Sequence, residues 1–181
     1  EELNQYLLDE NLAGKTPVLI IDEAQNLSAG VLEQIRLLSN LETERDKLIQ
    51  IILVGQPEFH ALLSRPNLRQ LNQRIVVRCS LVPLDHEETS AYIKHRLQIA
   101  GRADGLLFTT EALKLAYRYS AGLPRRINIL CDRALLISYV ENQGQVGARE
   151  IRQALEEVAD SGLEGYSQSG YKGIGALVAR L

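Results

Sequence analysis

Apolar positions set the organisation of the chain before any chemistry is considered. Leu3, Leu7 and Leu8 recur at helical spacing, and a polar turn over residues 11–16 leads through Pro17 into the continuous apolar run Val18-Leu19-Ile20-Ile21. A run of that kind predicts a strand buried on both faces. A second run, Ile49-Gln50-Ile51-Ile52-Leu53-Val54, ends at Gly55, and between the two Ser28 is placed to cap a helix carrying Leu32, Ile35 and Leu38 on one face. Strand, helix, strand in this order predicts a parallel sheet covered by helices.

A third β-rich run, Ile75 to Val82, closes at Pro83, after which only helical spacing follows. Asp85 with Glu88 makes a capping-box start for a helix holding Ile93 and Leu97 and stopping at Gly101. Thr109 or Thr110 opens the next, through Leu113, Ala116 and Tyr117 to Gly122; Pro124 opens another through Ile127, Leu130 and Leu135; Gly147 leads into the last, with Ile151 and Leu155. The expected organisation is an incomplete α/β core over residues 1–83 and a small all-α bundle over 84–160. The Gly/Ser/Tyr-rich residues 161–181 are expected to form a flexible tail.

Composition changes this picture little. The 181 residues are 45% apolar, enough for a packed core, and a net charge of −3 with 24% charged residues supplies no general basic footprint for nucleic acid. Cys79 and Cys131 lie far apart without a CxxC or a His cluster, and are read as buried thiols of a reducing compartment. No stretch approaches the ~20 apolar residues that span a bilayer. The chain contains no Met and opens on Glu1-Glu2-Leu3 as if inside a helix, so it is expected to be a piece of a longer protein.

The candidate chemistry sits at strand ends. Gly14-Lys15-Thr16 has the closing residues of a phosphate-cradling loop, but that pattern requires glycine where this chain has Asp9, and the loop should open a helix rather than precede a strand. It is read as a turn. Asp22-Glu23 follows the first apolar run and so stands at the carboxyl end of a parallel strand, the crevice side of such sheets. In nucleotide hydrolysis an Asp there holds Mg²⁺ and an adjacent Glu polarises the attacking water, although an acidic pair can equally just end a strand. Gln56 closes the second run and puts an amide beside the carboxylates, able to orient a water or to meet a terminal phosphate. Arg74 immediately precedes the third run, where a guanidinium can reach across a subunit interface onto developing phosphate charge; Arg69 and Arg78 are alternatives. In Gly122-Leu123-Pro124-Arg125-Arg126, two arginines occupy a first helical turn, a placement the helix dipole disfavours unless an anion compensates.

Taken in order, these residues carry a resemblance. Val18 to Leu27 resembles the Walker B strand of AAA+ ATPases, Gln56 falls at sensor 1, Arg74 at the arginine finger, and Gly122-Leu123-Pro124-Arg125 at sensor 2, with Arg126 a neighbouring choice. The stretches DEAQNLSAGVLEQIRLLSNLET, LVGQPE, LRQLNQRI and GLPRRINILCDRALL are similar to the ATPase domain of the general secretion pathway protein A (ExeA-type) family and its MshM-type pilus-biogenesis relatives. The resemblance spans residues 1 to about 160 and lacks the Walker A loop.

The resemblance implies a part of an ATP hydrolase that uses ATP and Mg²⁺, with Asp22 at the metal, Glu23, Arg74 and Gln56 in catalysis and Arg125 on the nucleotide. For want of Walker A, these residues by themselves are expected to be inactive. It further implies a homo-oligomer working with secretion or pilus assembly components, as the cytoplasmic domain of a Gram-negative inner-membrane protein that helps assemble a secretin. The alternative is a DNA-associated switch ATPase of the transposition-helper or replication-initiator type, with Arg65, Arg69, Arg74 and Arg78 as a basic stripe. The net charge of −3 argues against that nucleic-acid face.

Overall fold

The computed structural model describes residues 2–43, 46–102, 105, 107–160 and 177–180. The chain divides into two compact units, one made of Glu1–Val82 with Lys172–Leu181 and the other of Pro83–Tyr171.

In the first unit, α1 (Glu2–Leu12) ends in a turn at Gly14, which takes the left-handed conformation at φ 72°. The chain then enters β1 (Val18–Ile21). Ser28 Oγ accepts the Val31 N–H at 3.3 Å and so caps α2 (Ala29–Leu38), whose Leu32 and Ile35 are buried. β2 (Gln50–Gly55) lies parallel to β1, with Val18 opposite Gln50 and Ile21 opposite Leu53. Two short helices that the apolar pattern does not announce follow, α3 (Glu58–Leu63) and α4 (Arg69–Arg74). Each spans six residues, too few to display a period, yet together with Leu68 they bury Phe59, Leu63 and Leu71. β3 (Val77–Ser80) comes next. The core is built from these residues with Leu7, Leu32, Leu48, Ile51 and Leu53, and each fully buried Leu, Ile or Phe contributes roughly 1.5–3 kcal/mol.

Three expectations are corrected here. The first strand is not buried on both faces: Val18 is 55% and Ile20 63% exposed, because the core packs on the face that carries Ile51 and Leu53. The third run forms a strand only over Val77–Ser80, all of it exposed, so Cys79 is an exposed thiol and not a buried one. Of the tail expected to be flexible, residues 161–176 and 181 lie outside the described residues, while Leu177–Arg180 form β4. This strand inserts antiparallel between β2 and β3, giving the order β1-β2-β4-β3. Ladder groups on the facing edges of β2 and β3 require partners, and the backbone of Leu177–Arg180 supplies them.

The second unit is helical. α5 (His86–Ile99) begins with both halves of a capping box: Glu88 N–H donates to Asp85 Oδ1 at 2.8 Å and Asp85 N–H donates to Glu88 Oε2 at 2.9 Å. α6 (Thr110–Ser120) is capped by Thr109, whose Oγ1 accepts the Ala112 N–H. α7 (Pro124–Val140) starts on proline, whose missing N–H costs nothing in a first turn, and α8 (Ala148–Asp160) closes the bundle. Ile93, Leu113, Ala116, Ile127, Leu130, Ala134, Ile151 and Ala154 form its core. No helix of the described residues is long and apolar enough to cross a membrane.

The two thiols differ by environment. Burial pushes the Cys131 thiol up to about 12, so it is neutral at pH 8, whereas Cys79 is exposed. A maleimide at pH 8 should therefore label one thiol rapidly in the folded protein and two in denaturant, with peptide mapping assigning the first to Cys79. Rapid native labelling of Cys131 would contradict this packing.

Candidate functional site

The parallel register of β1 and β2 decides what meets at their carboxyl ends. Ile21 pairs with Leu53, so the residues that follow β1 lie beside Val54, Gly55 and Gln56. Asp22 and Glu23 emerge there and are exposed. Asp22 Oδ1 accepts the Glu23 N–H at 2.8 Å, a bond that turns the chain sharply at the strand end. Glu23 occupies the left-handed region at φ 53°, ψ 38°, which costs a non-glycine residue about 1 kcal/mol. The turn is held on its far side by Ala24, fully buried, and by the Asn26 N–H donating to the Glu23 carbonyl at 2.9 Å.

Two amides converge on the Glu23 carboxylate. Gln56 Nε2 donates to Glu23 Oε2 at 3.3 Å, and Gln25 Nε2 donates to the same oxygen. Gln25 Oε1 in turn accepts the Gln56 backbone N–H at 3.1 Å, so one side chain ties the end of β1 to the end of β2. Asp22, Glu23 and Gln56 are thus brought together, as their positions in the sequence led one to expect. Gln25 was not anticipated; an amide two residues beyond a strand carries no periodic signal, and its partner is 31 residues away.

Arg74 is placed elsewhere in the same unit. It is the last residue of α4, exposed, and it precedes β3. Through β4, β3 runs in the same direction as β2, with Ser80 and Gly55 both opposite Leu177 and with Val77 and Ile52 both opposite Arg180. Arg74 therefore stands at the amino ends of these strands and the carboxylates at the carboxyl ends, roughly 10 Å or more apart at ~3.3 Å per residue. Its charge helps hold the exposed Glu42 carboxyl below the usual range, an effect led by the Lys47 hydrogen bond. Of the alternatives, Arg78 is engaged locally: its guanidinium donates to the Asn72 carbonyl at 3.0 Å and to Asn72 Oδ1 at 2.6 Å.

Gly14-Lys15-Thr16 forms the turn between α1 and β1, with Lys15 Nζ 3.3 Å from Glu10. No helix N-terminus follows it to receive a phosphate. Among the described residues, no three His, Cys, Asp or Glu side chains gather into a ready cation cage. Asp22, exposed and with one oxygen engaged by an N–H, suits a Mg²⁺ ion that keeps most of its own waters.

In the helical unit, Arg125 and Arg126 lie in the first turn of α7, Arg125 exposed and Arg126 half-buried. The preceding turn is dictated by Gly122, at φ 73°, whose carbonyl accepts the Leu84 N–H at 2.9 Å. A Cβ on Gly122 would come within 1.8 Å of the Leu84 carbonyl oxygen. The glycine therefore fixes where α7 begins and where its arginines project.

With this geometry established, comparison with known proteins places the chain among relatives. Residues 1–63 match the model of a family described as AAA domain. Over 168 residues, 93% of this chain, it is 46% identical to General secretion pathway protein A of Aeromonas hydrophila. The match spans 30% of that relative's length.

Gly122→Ala should destabilise the helical unit by about 2–4 kcal/mol, combining left-handed strain with overpacking against Leu84. Gly101, at φ 96° with nothing within 4 Å of its absent Cβ, provides the control, since Gly101→Ala meets strain alone at about 1 kcal/mol. Urea unfolding should separate the two, and equal midpoints would remove Gly122 from its structural role.

Proposed function

This chain carries an AAA domain of the general secretion pathway protein A type, and from that premise we propose that it supplies the water-activating, sensing and lid portions of an ATP hydrolase. The observation that carries the reading is the meeting of Asp22, Glu23 and Gln56 at the carboxyl ends of two parallel strands, with Gln56 Nε2 3.3 Å from the Glu23 carboxylate. Mg²⁺ held by Asp22 would neutralise charge on the phosphates when nucleotide is bound. Glu23 takes the proton of the attacking water, and its exposed position at the strand end leaves room for that water. Gln56 holds the carboxylate from the neighbouring strand and presents its amide to the same space.

The phosphate-gripping amides are not supplied by Gly14-Lys15-Thr16, which leads into a strand, so we take these residues by themselves to be inactive as a hydrolase. The exposed apolar side chains Val18 and Ile20 support the view that further helices of a larger α/β layer cover this sheet. Arg74, at the end of the sheet opposite its own Glu23, is suited to a neighbouring copy's nucleotide, which makes the working form a homo-oligomer. Arg125 is proposed to meet the nucleotide of its own subunit. The relative's name ties it to a general secretion pathway, and we propose, as the sequence resemblance implies, that the hydrolysis drives assembly of a secretion or pilus secretin from the cytoplasmic side of a Gram-negative inner membrane.

In the full-length protein carrying this sequence, Glu23→Gln should retain ATP binding and lose nearly all turnover, since an amide cannot accept the water's proton. Asp22→Asn should weaken the Mg²⁺-dependent nucleotide complex as well. Radiolabelled ATP binding measured beside steady-state hydrolysis distinguishes the two, and normal turnover by Glu23→Gln would refute the assigned role.

The two arginines are separated by mixing subunits. Arg74→Ala protein combined with Glu23→Gln protein should recover hydrolysis, because a mixed interface pairs an intact Glu23 with an intact Arg74. Arg125→Ala combined with Glu23→Gln should not, because each subunit's own site stays defective. An arginine on the transferring phosphate contributes ~10³-fold or more, so recovery stands clear of background. Equal recovery in both mixtures would remove the trans assignment of Arg74.

A further inference from the structure

We propose that Gln25 is the positioning residue of the site: its amide holds the Glu23 carboxylate against the end of β2 and so sets which carboxylate oxygen faces the attacking water. The proposal rests on the reading of Glu23 as the water-activating group. Gln25 Nε2 donates to Glu23 Oε2, and Gln25 Oε1 accepts the Gln56 N–H at 3.1 Å. The orientation of the amide is dictated chemically, since a flip would set its NH₂ against the Gln56 N–H and its oxygen against a carboxylate. Gln56 Nε2 reaches the same Oε2, so both donors are spent on one oxygen, and among the described contacts Oε1 accepts none. Oε1 is thereby the oxygen left for water.

A second feature of the fold exists to admit this amide. A Cβ on Gly55 would lie 2.9 Å from Gln25 Oε1 and 3.3 Å from Phe59 Cβ. Gly55 does not have a positive φ, so its backbone needs no glycine; the space does. Gln25 is half-buried, whereas Glu23 and Gln56 are exposed, which makes Gln25 the most constrained member of the three. A carboxylate on an exposed, left-handed residue would otherwise sample several rotamers, and groups that orient a reacting side chain typically change activity 10–100-fold when removed.

The test uses the full-length protein and its Mg-ATP hydrolysis. Gln25→Ala should lower kcat by about 10–100-fold while KM for ATP stays within about twofold, and Gln25→Glu, which keeps the shape but loses the donor, should do the same or worse. Gly55→Ala should reproduce the kcat loss by displacing the Gln25 amide. Combined with Gln25→Ala it should cause no further loss, because the strut is already gone. Multiplying losses in the double variant, or normal kcat in both Gln25 variants, would overturn the proposal. Should Gly55→Ala fail to fold, the two Gln25 variants decide it alone. Glu23→Gln is assayed alongside: if it is inactive while Gln25→Ala is normal, only the role of Gln25 falls, and if Glu23→Gln is itself normal, the underlying reading falls with it.

Discussion

The parallel pairing of Val18–Ile21 with Gln50–Leu53 is the constraint on which the α/β unit depends. Parallel strands end on the same side of a sheet, so whatever follows each of them is delivered to one edge. Shifting that register by one residue would turn Ile51 and Leu53 out of the core and carry Glu23 away from Gln56. Core packing and site geometry are therefore the same fact seen from two ends of the strand. The buried residues enforce an arrangement that the exposed ones use.

The helical unit is governed by a different kind of constraint, the close approach of two backbone segments. Leu84 and Gly122 touch through a backbone hydrogen bond with no room for a side chain between them, which fixes the entry to α5 against the entry to α7. The first turn of α7 then inherits its position from that contact. Both units thus locate candidate site residues by what happens just before them in the chain, at a strand end in one case and at a glycine turn in the other.

How much was legible in the sequence follows from the range of the forces involved. Ser28, Asp85 with Glu88, Thr109 and Pro124 announce helix starts because capping is a matter of a few adjacent residues, and each was found where its chemistry puts it. The β1 and β2 runs were equally plain, and with them the neighbourhood of Asp22, Glu23 and Gln56. What escaped depended on distant partners. The exposure of Val18, Ile20 and Cys79 is a property of what packs on the sheet, and uninterrupted apolar runs say nothing of whether a cover is present. The role of Gln25 needed the tertiary meeting with Gly55, and β4 needed a slot formed by residues far earlier in the chain.

That slot carries a consequence for how the molecule is made. Gly55 and Leu177 pair, as do Val77 and Arg180, so the middle of the sheet joins some of the most widely separated of the described residues. On a ribosome, β2 and β3 emerge long before β4 is synthesised. Until it is, two facing edges with their ladder groups unmatched are open to any extended polypeptide nearby. High contact order of this sort slows folding as well. The sheet is thus completed only after β4 has emerged, and before that the nascent chain passes through a stage in which chaperone capture or pairing with a neighbouring nascent chain competes directly with β4.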